Sequence, residues 1–201
     1  LIFDECTSGF RETFGGLHKK YKIYPDMAMF GKALGNGYAI TAILGTNEAM
    51  DAAQSSFISS TFWTERIGPN AALKTLEIME REKSWEKITH QGKKIRDRFQ
   101  KLFTKYELNV SITGLPALTN ILFQSDNALA YKTLISQEML KKGYLAGNNI
   151  YVCVEHTDTI IDGYFDAIDP VFSLIGECEN GRNINELLEG PICHSDFKRL
   201  N

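Results

Sequence analysis

The chain has 201 residues, 43% of them hydrophobic, with 22 Lys and Arg against 25 Asp and Glu and a net charge of −3. That is enough chain for one large domain or two small ones, and its apolar fraction is ordinary for a globular protein. Basic residues fall in dispersed pairs such as Lys19-Lys20 and Lys93-Lys94, which excludes an electrostatic footprint for nucleic acid, and the longest apolar run, Tyr38 to Leu44, is far short of the roughly 20 residues of a membrane-spanning helix.

Leu1 to Phe3 reads as a short buried strand that ends in Asp4 and runs directly into a turn. A carboxylate at the C-terminal end of a parallel strand sits at the crevice where open α/β sheets bind ligands. Gly9 to Gly16 is turn-rich and contains Arg11, His18 to Tyr24 is a basic, aromatic stretch of solvated surface, and Pro25-Asp26 punctuates the chain before a strand at Met27 to Phe30. That strand delivers Lys32 into a glycine-rich loop. A lysine leaving a buried strand between glycines is partly desolvated, which favours the neutral, nucleophilic amine that Schiff-base chemistry needs. Gly31, Gly35 and Gly37 add no bulk, so a flat cofactor and the main chain can approach closely. Taken alone, Lys32 is a loop lysine. The alternation of Tyr38 to Gly45 predicts a strand, and Asn47 is placed to cap a helix over Glu48 to Ala53. Ser59 to Asn70 is a polar, aromatic loop entering a helix near Pro69. Its hydroxyls, Thr61 among them, can donate to phosphate oxygens or cap main-chain amides.

A helix is predicted over Asn70 to Arg81, and a second from Ser84, its N-cap, with Trp85, Ile88, Gly92, Ile95, Phe99, Leu102 and Tyr106 as a core-facing stripe. The break at 82–84 divides the chain into domains over 1–83 and 84–201. Strands at Leu108 to Ile112 and Leu118 to Gln124 flank a Gly114-Leu-Pro116 turn, and Asn127 caps a helix from Ala128 to Lys142 that Gly143 ends. Tyr144 to Ala146 and Ile150 to Val154 read as strands, and His156-Thr157-Asp158 opens a helix over Ile160 to Ile175 that Pro170 is expected to kink or interrupt. His156 reads as a capping-loop residue. A short helix near Ile184 to Leu188 follows, and the whole second domain has the α+β pattern of helices on one sheet face. Cys6, Cys153, Cys178 and Cys193 form no Cys-x-x-Cys pair, and the four histidines show no metal-ligand spacing. Free thiols in a reducing cytoplasm are expected.

Three stretches in order, Asp4-Glu-Cys-Thr-Ser-Gly-Phe-Arg11, Pro25-Asp-Met-Ala28 and Phe30-Gly-Lys-Ala-Leu-Gly-Asn-Gly-Tyr38, resemble the consecutive motifs of class III pyridoxal-phosphate (PLP) aminotransferases, nearest the branch containing glutamate-1-semialdehyde aminomutase. The resemblance implies an α/β PLP-dependent transferase fold of type I, with part of the large domain followed by the small α+β domain. It implies PLP as cofactor, Lys32 as the Schiff-base lysine, Asp4 as the partner of the pyridine nitrogen, Cys6 beneath the ring where valine is usual, and Thr61 on the cofactor phosphate of a neighbouring subunit in a homodimer. Thr7 departs from the glutamine or methionine common there, Ala39 from a proline, and Trp63 to Arg66 from a glycine-rich loop. A C-terminal-domain arginine often holds the substrate carboxylate in this family; Arg182 and Arg199 are available, neither in a matching motif.

The implied activity is transfer of an amino group from an amino donor to a carbonyl acceptor. An aminomutase or other PLP isomerase on the same scaffold is the alternative, and a non-catalytic truncated subunit a second one. The last follows from a start at Leu1, inside a strand and without methionine, which reads as a fragment lacking its N-terminal half. Gly31-x-x-x-Gly35-x-Gly37 also fits a dinucleotide-binding loop. Such a loop opens a helix, whereas the residues after Gly37 read as strand, and no Tyr-x-x-x-Lys pair occurs.

Overall fold

Short apolar runs separated by turns build two small sheets, one in each of the units into which the chain divides, Leu1–Thr89 and His90–Asn201. The computed structural model describes residues 1–59, 62 and 64–195. In the first unit, β1 (Ile2–Asp4), β2 (Met27–Phe30) and β3 (Ala42–Gly45) lie in the order β1-β2-β3. β1 runs parallel to β2 with Phe3 beside Ala28, and β3 returns antiparallel with Ala42 beside Phe30. Among the described residues β1 pairs with β2 alone, and Ile2 is exposed where a buried strand was expected. The strand predicted from Tyr38 begins only at Ala42, because the residues before it leave the glycine loop.

The first unit's core is a cluster of Phe10, Ala28, Phe30, Leu34 and Ala72, with the Phe10 and Phe30 rings 5.6 Å apart. A short helix, α1 (His18–Tyr21), occupies the stretch expected as solvated surface. Tyr21 and Tyr24 are exposed as expected, but His18 turns inward. Next, α2 (Asn47–Asp51) is capped by Thr46 rather than Asn47, the Thr46 hydroxyl accepting from the Ala49 amide at 3.3 Å. α3 (Ile67–Glu82) starts two residues ahead of Pro69, whose ring its first turn tolerates. Glu65 caps it, accepting from the amides of Ile67 and Gly68 at 2.5 and 3.1 Å.

α4 (Ser84–Lys105) follows a left-handed Lys83 at φ +49°. Ser84 opens it without capping it, since its buried hydroxyl has no hydrogen-bond partner among the described residues. The division between units falls within this helix. Beyond it, β4 (Val110–Thr113), β5 (Leu118–Phe123) and β6 (Asn149–Tyr151) form an antiparallel sheet in chain order. Alternate residues of β5 point to one face, where they meet α4, α5 (Ala128–Lys141) and α6 (Asp158–Glu179). Arg96 Nε donates to Thr119 Oγ1 at 2.8 Å, and the Phe123 ring lies 5.4 Å from Tyr131 and 6.1 Å from Phe172.

α6 runs without interruption through Pro170. The buried stripe of Phe165, Ile168, Phe172 and Ile175 spans the proline on both sides and holds the helix where its own hydrogen bond is lost. Thr157 is its cap, accepting from the Ile160 amide. Tyr144 to Ala146 form no strand, the Ala146 carbonyl accepting from Ser136 Oγ at 2.8 Å instead of pairing in the sheet. Ion pairs join Lys94 to Asp158, Arg98 to Asp162 and Lys105 to Asp169, each across 64 residues, so α4 and α6 run parallel and in register. No helix of the described residues is long and apolar enough to cross a membrane.

Candidate active site

Parallel pairing brings the C-terminal ends of β1 and β2 to the same sheet edge. Asp4 is the last residue of β1, beside Met29, and the next amide, Glu5, still donates to the Met29 carbonyl at 2.8 Å. On the neighbouring strand Phe30 is followed by an extended Gly31 and then by Lys32, which adopts the left-handed conformation at φ +43°. A lysine rarely occupies that region, and such residues gather at functional sites. Lys32 Nζ donates to the Thr7 hydroxyl, tying the two strand ends together through side chains.

Between them lies Cys6. Its amide donates to Asp4 Oδ1 at 2.9 Å. Partial burial, then the hydrogen bond and negative charge of Asp4, push the Cys6 thiol up, while the Lys32 charge pulls it down. The thiol therefore stays protonated, as a small apolar floor. A Cβ on Gly31 would sit 3.4 Å from Cys6 Sγ and from Thr41 Cγ2, so this corner is lined but not filled. The loop glycines differ in purpose. Gly35 is required by loop closure, since a Cβ there would come within 2.1 Å of the Tyr38 carbonyl oxygen, whereas Gly37 faces open space at φ +103°.

Glu5 fixes the turn that carries Cys6 and Thr7. Only 3% exposed, it accepts from Ser8 Oγ at 2.5 Å and from the His18 amide at 3.0 Å, and faces His18 Nδ1 at 3.0 Å. Burial raises its pKa, but the Ser8 hydroxyl, the amides of Leu17 and His18 and the His18 ring outweigh it and hold the carboxyl below its ordinary value. The Thr7 carbonyl is held as well, accepting from Arg11 Nε at 3.3 Å.

Asp4, Cys6 and Lys32, singled out from sequence, thus share one edge, while Thr61 lies outside the described residues. Lys32 is exposed, so these residues do not supply the desolvation expected of it. Two participants escaped sequence reasoning. Thr7 was visible only as a departure from the common residue, and Glu5 only as the neighbour of Asp4. Arg182 is engaged by Glu177 at 2.5 Å, and Arg199 lies outside the described residues. His156 Nδ1 accepts from the Cys153 amide at 3.4 Å, in keeping with a capping-loop role. Among the described residues no group of three His, Cys, Asp or Glu side chains is placed to hold a metal ion.

The family model for class III aminotransferases matches residues 1–161. The chain belongs to the class III aminotransferases. It is 38% identical to the 3-aminobutyryl-CoA aminotransferase of Cloacimonas acidaminovorans over 84% of its own length and 42% of the relative's. It is 27% identical to a glutamate-1-semialdehyde 2,1-aminomutase of Methanosphaera stadtmanae, over 84% of this chain and 44% of that one. Among solved structures, the PLP internal aldimine form of the FumI protein of Sphingopyxis sp. MTA144 superposes with a TM-score of 0.82 at 26% identity, covering 94% of this chain and 46% of that one. This class III aminotransferase chain therefore has part of the fold type I, PLP-dependent transferase fold and spans less than half the length of the relatives it matches.

Proposed function

We propose that the protein containing this chain transfers an amino group from a small-molecule amino donor to a carbonyl acceptor, using pyridoxal phosphate held by Lys32. The observation that carries this reading is the meeting of Asp4 and Lys32 at one sheet edge through parallel strands, in a class III aminotransferase chain. The residues suit the group. Asp4 stands at the end of β1 with one oxygen, Oδ1, accepting from the Cys6 amide and offers a fixed negative charge to a protonated ring nitrogen, while Cys6 and Gly31 add no charge beside it.

When bound, pyridoxal phosphate supplies an aldehyde that condenses with amines and a ring that accepts the electrons released by deprotonation. Lys32 Nζ would hold the group covalently and, as a free amine, would take the substrate α-proton as base and return it as acid. Asp4 keeps a proton on the ring nitrogen by opposing it with a fixed negative charge. Thr61, outside the described residues, would by the same family resemblance hold the cofactor phosphate of a neighbouring subunit, and the working unit would then be a homodimer with shared sites. A cytoplasmic location belongs to the same reading, supported by four free cysteines that a reducing compartment preserves.

Borohydride reduction of the full-length protein with PLP, followed by peptide mass spectrometry, is expected to place a pyridoxyl group on Lys32. No adduct on any lysine of the folded protein would overturn the reading. Similarity to aminomutases favours a second one, in which the amino group returns to the same carbon skeleton. Product analysis separates the two: an aminotransferase needs a keto acceptor for turnover, and an aminomutase does not.

A further inference from the structure

Thr7 sits in one of the most constrained turns of the first unit. On its N-terminal side the Cys6 amide is tied to Asp4 Oδ1 at 2.9 Å, and on its C-terminal side the Ser8 hydroxyl is tied to the buried Glu5 carboxylate at 2.5 Å. Its own carbonyl accepts from Arg11 Nε at 3.3 Å, and the Gly9 amide closes the turn onto the Glu5 carbonyl at 2.8 Å. None of these contacts uses the Thr7 side chain, whose hydroxyl is presented to Lys32 Nζ. From the other strand, the left-handed backbone of Lys32 aims its side chain back across the sheet edge. Two independently fixed backbones thus converge on one hydrogen bond.

We propose that Thr7 is the resting partner of the Lys32 amine, receiving Nζ whenever that nitrogen carries no covalent bond to cofactor. A hydroxyl has two acceptor sites and one donor, so it accepts from Nζ while keeping its own proton for another acceptor. Neither the glutamine nor the methionine common at this place puts a hydroxyl beside the amine. The contact holds the nitrogen at the edge between Asp4 and Gly31, so that it leaves and rejoins the cofactor from one direction instead of sampling solvent. The proposal rests on the reading of Lys32 as the cofactor lysine. Thr7 itself is a positioning residue, acting through the reacting nitrogen.

The test uses the full-length protein with Thr7→Val, which keeps shape and removes the hydroxyl, and Thr7→Ser, which keeps the hydroxyl. In the cofactor-free protein, labelling of Lys32 by trinitrobenzenesulfonate, read by peptide mass spectrometry, is expected to accelerate about tenfold in Thr7→Val, the scale of one lost hydrogen bond to a charged donor. Capture of added PLP, followed by visible absorbance and circular dichroism, is expected to slow, and Thr7→Ser is expected to return both rates toward wild type. Thr7→Ala, judged by the same two rates, stands in if Thr7→Val melts early. Wild-type rates in both hydroxyl-free variants would overturn the role of Thr7 alone, provided borohydride still places the pyridoxyl group on Lys32 of the wild type. Absence of that group would overturn the functional reading, and this role with it.

Discussion

The two units spend their apolar residues differently. In the second, Phe99, Phe172, Leu134, Met139 and Ile175 are wholly buried, and Phe99 alone has four aromatic rings around it. In the first, the buried cluster is small, while Phe57 at 96%, Leu73 at 67% and Leu44 at 62% stand exposed. The second unit closes a core from its own elements. The first has its densest hydrogen bonding at a polar edge, around Glu5 and Thr7, in a chain that spans less than half the length of its relatives. Rigidity there comes from hydrogen bonds around Glu5 and Thr7 rather than from packing density, so the two units should fail by different routes.

The largest effect falls on the packed unit. Phe99→Ala is expected to cost about 3–5 kcal/mol, read as an earlier loss of helical circular dichroism in urea. Trp85 packs on Phe14 in the first unit with its ring 5.4 Å away, so its fluorescence follows that unit and should lag behind the circular dichroism in this variant. Next is Glu5→Gln, expected to cost about 1–3 kcal/mol because a buried acceptor for three donors is weakened, with tryptophan fluorescence now responding first. The same carboxyl gives an acid dependence. Its folded pKa lies below the ordinary 4.5, so its contribution is complete above 4.5 and is lost as pH falls through the depressed value.

The second unit has the opposite dependence. Burial, and then the hydrogen bond to Glu179, push Tyr131 up from 10.0 to about 12, so its contribution is complete below pH 10 and is lost as pH rises through about 12. Tyr131→Phe should remove that alkaline loss and cost about 1 kcal/mol at neutral pH, measured by urea unfolding. Smallest is Lys94→Ala. Its pair with Asp158 is exposed on both sides, and the urea midpoint is expected not to move measurably.

The meeting of Asp4 and Lys32 was legible from sequence because each lies within two residues of a strand end, and parallel strands bring such ends together. Thr7 was not. Its role depends on the sign of one dihedral angle at Lys32, which no periodicity encodes. The cap at Ser84 misled because a serine caps only when its own backbone is extended, and here Ser84 already belongs to the helix, after the left-handed Lys83. Pro170 does not interrupt α6, since the buried stripe on both sides of it outweighs the local preference. Most of the second unit's helices were readable from spacing alone because they bury one face.

The constant offset of 64 between paired residues of α4 and α6 bears on where this sequence can change length over evolutionary time. Segments between Lys105 and Asp158 can lengthen or shorten without disturbing the match, because every pair would then shift by the same count. One residue inserted within α6, between Asp158 and Asp169, would instead turn the distal half of that helix by about 100° and separate Lys105 from its partner while sparing Lys94. Gaps in an alignment of related chains should therefore gather in the connections and be rare inside the two helices.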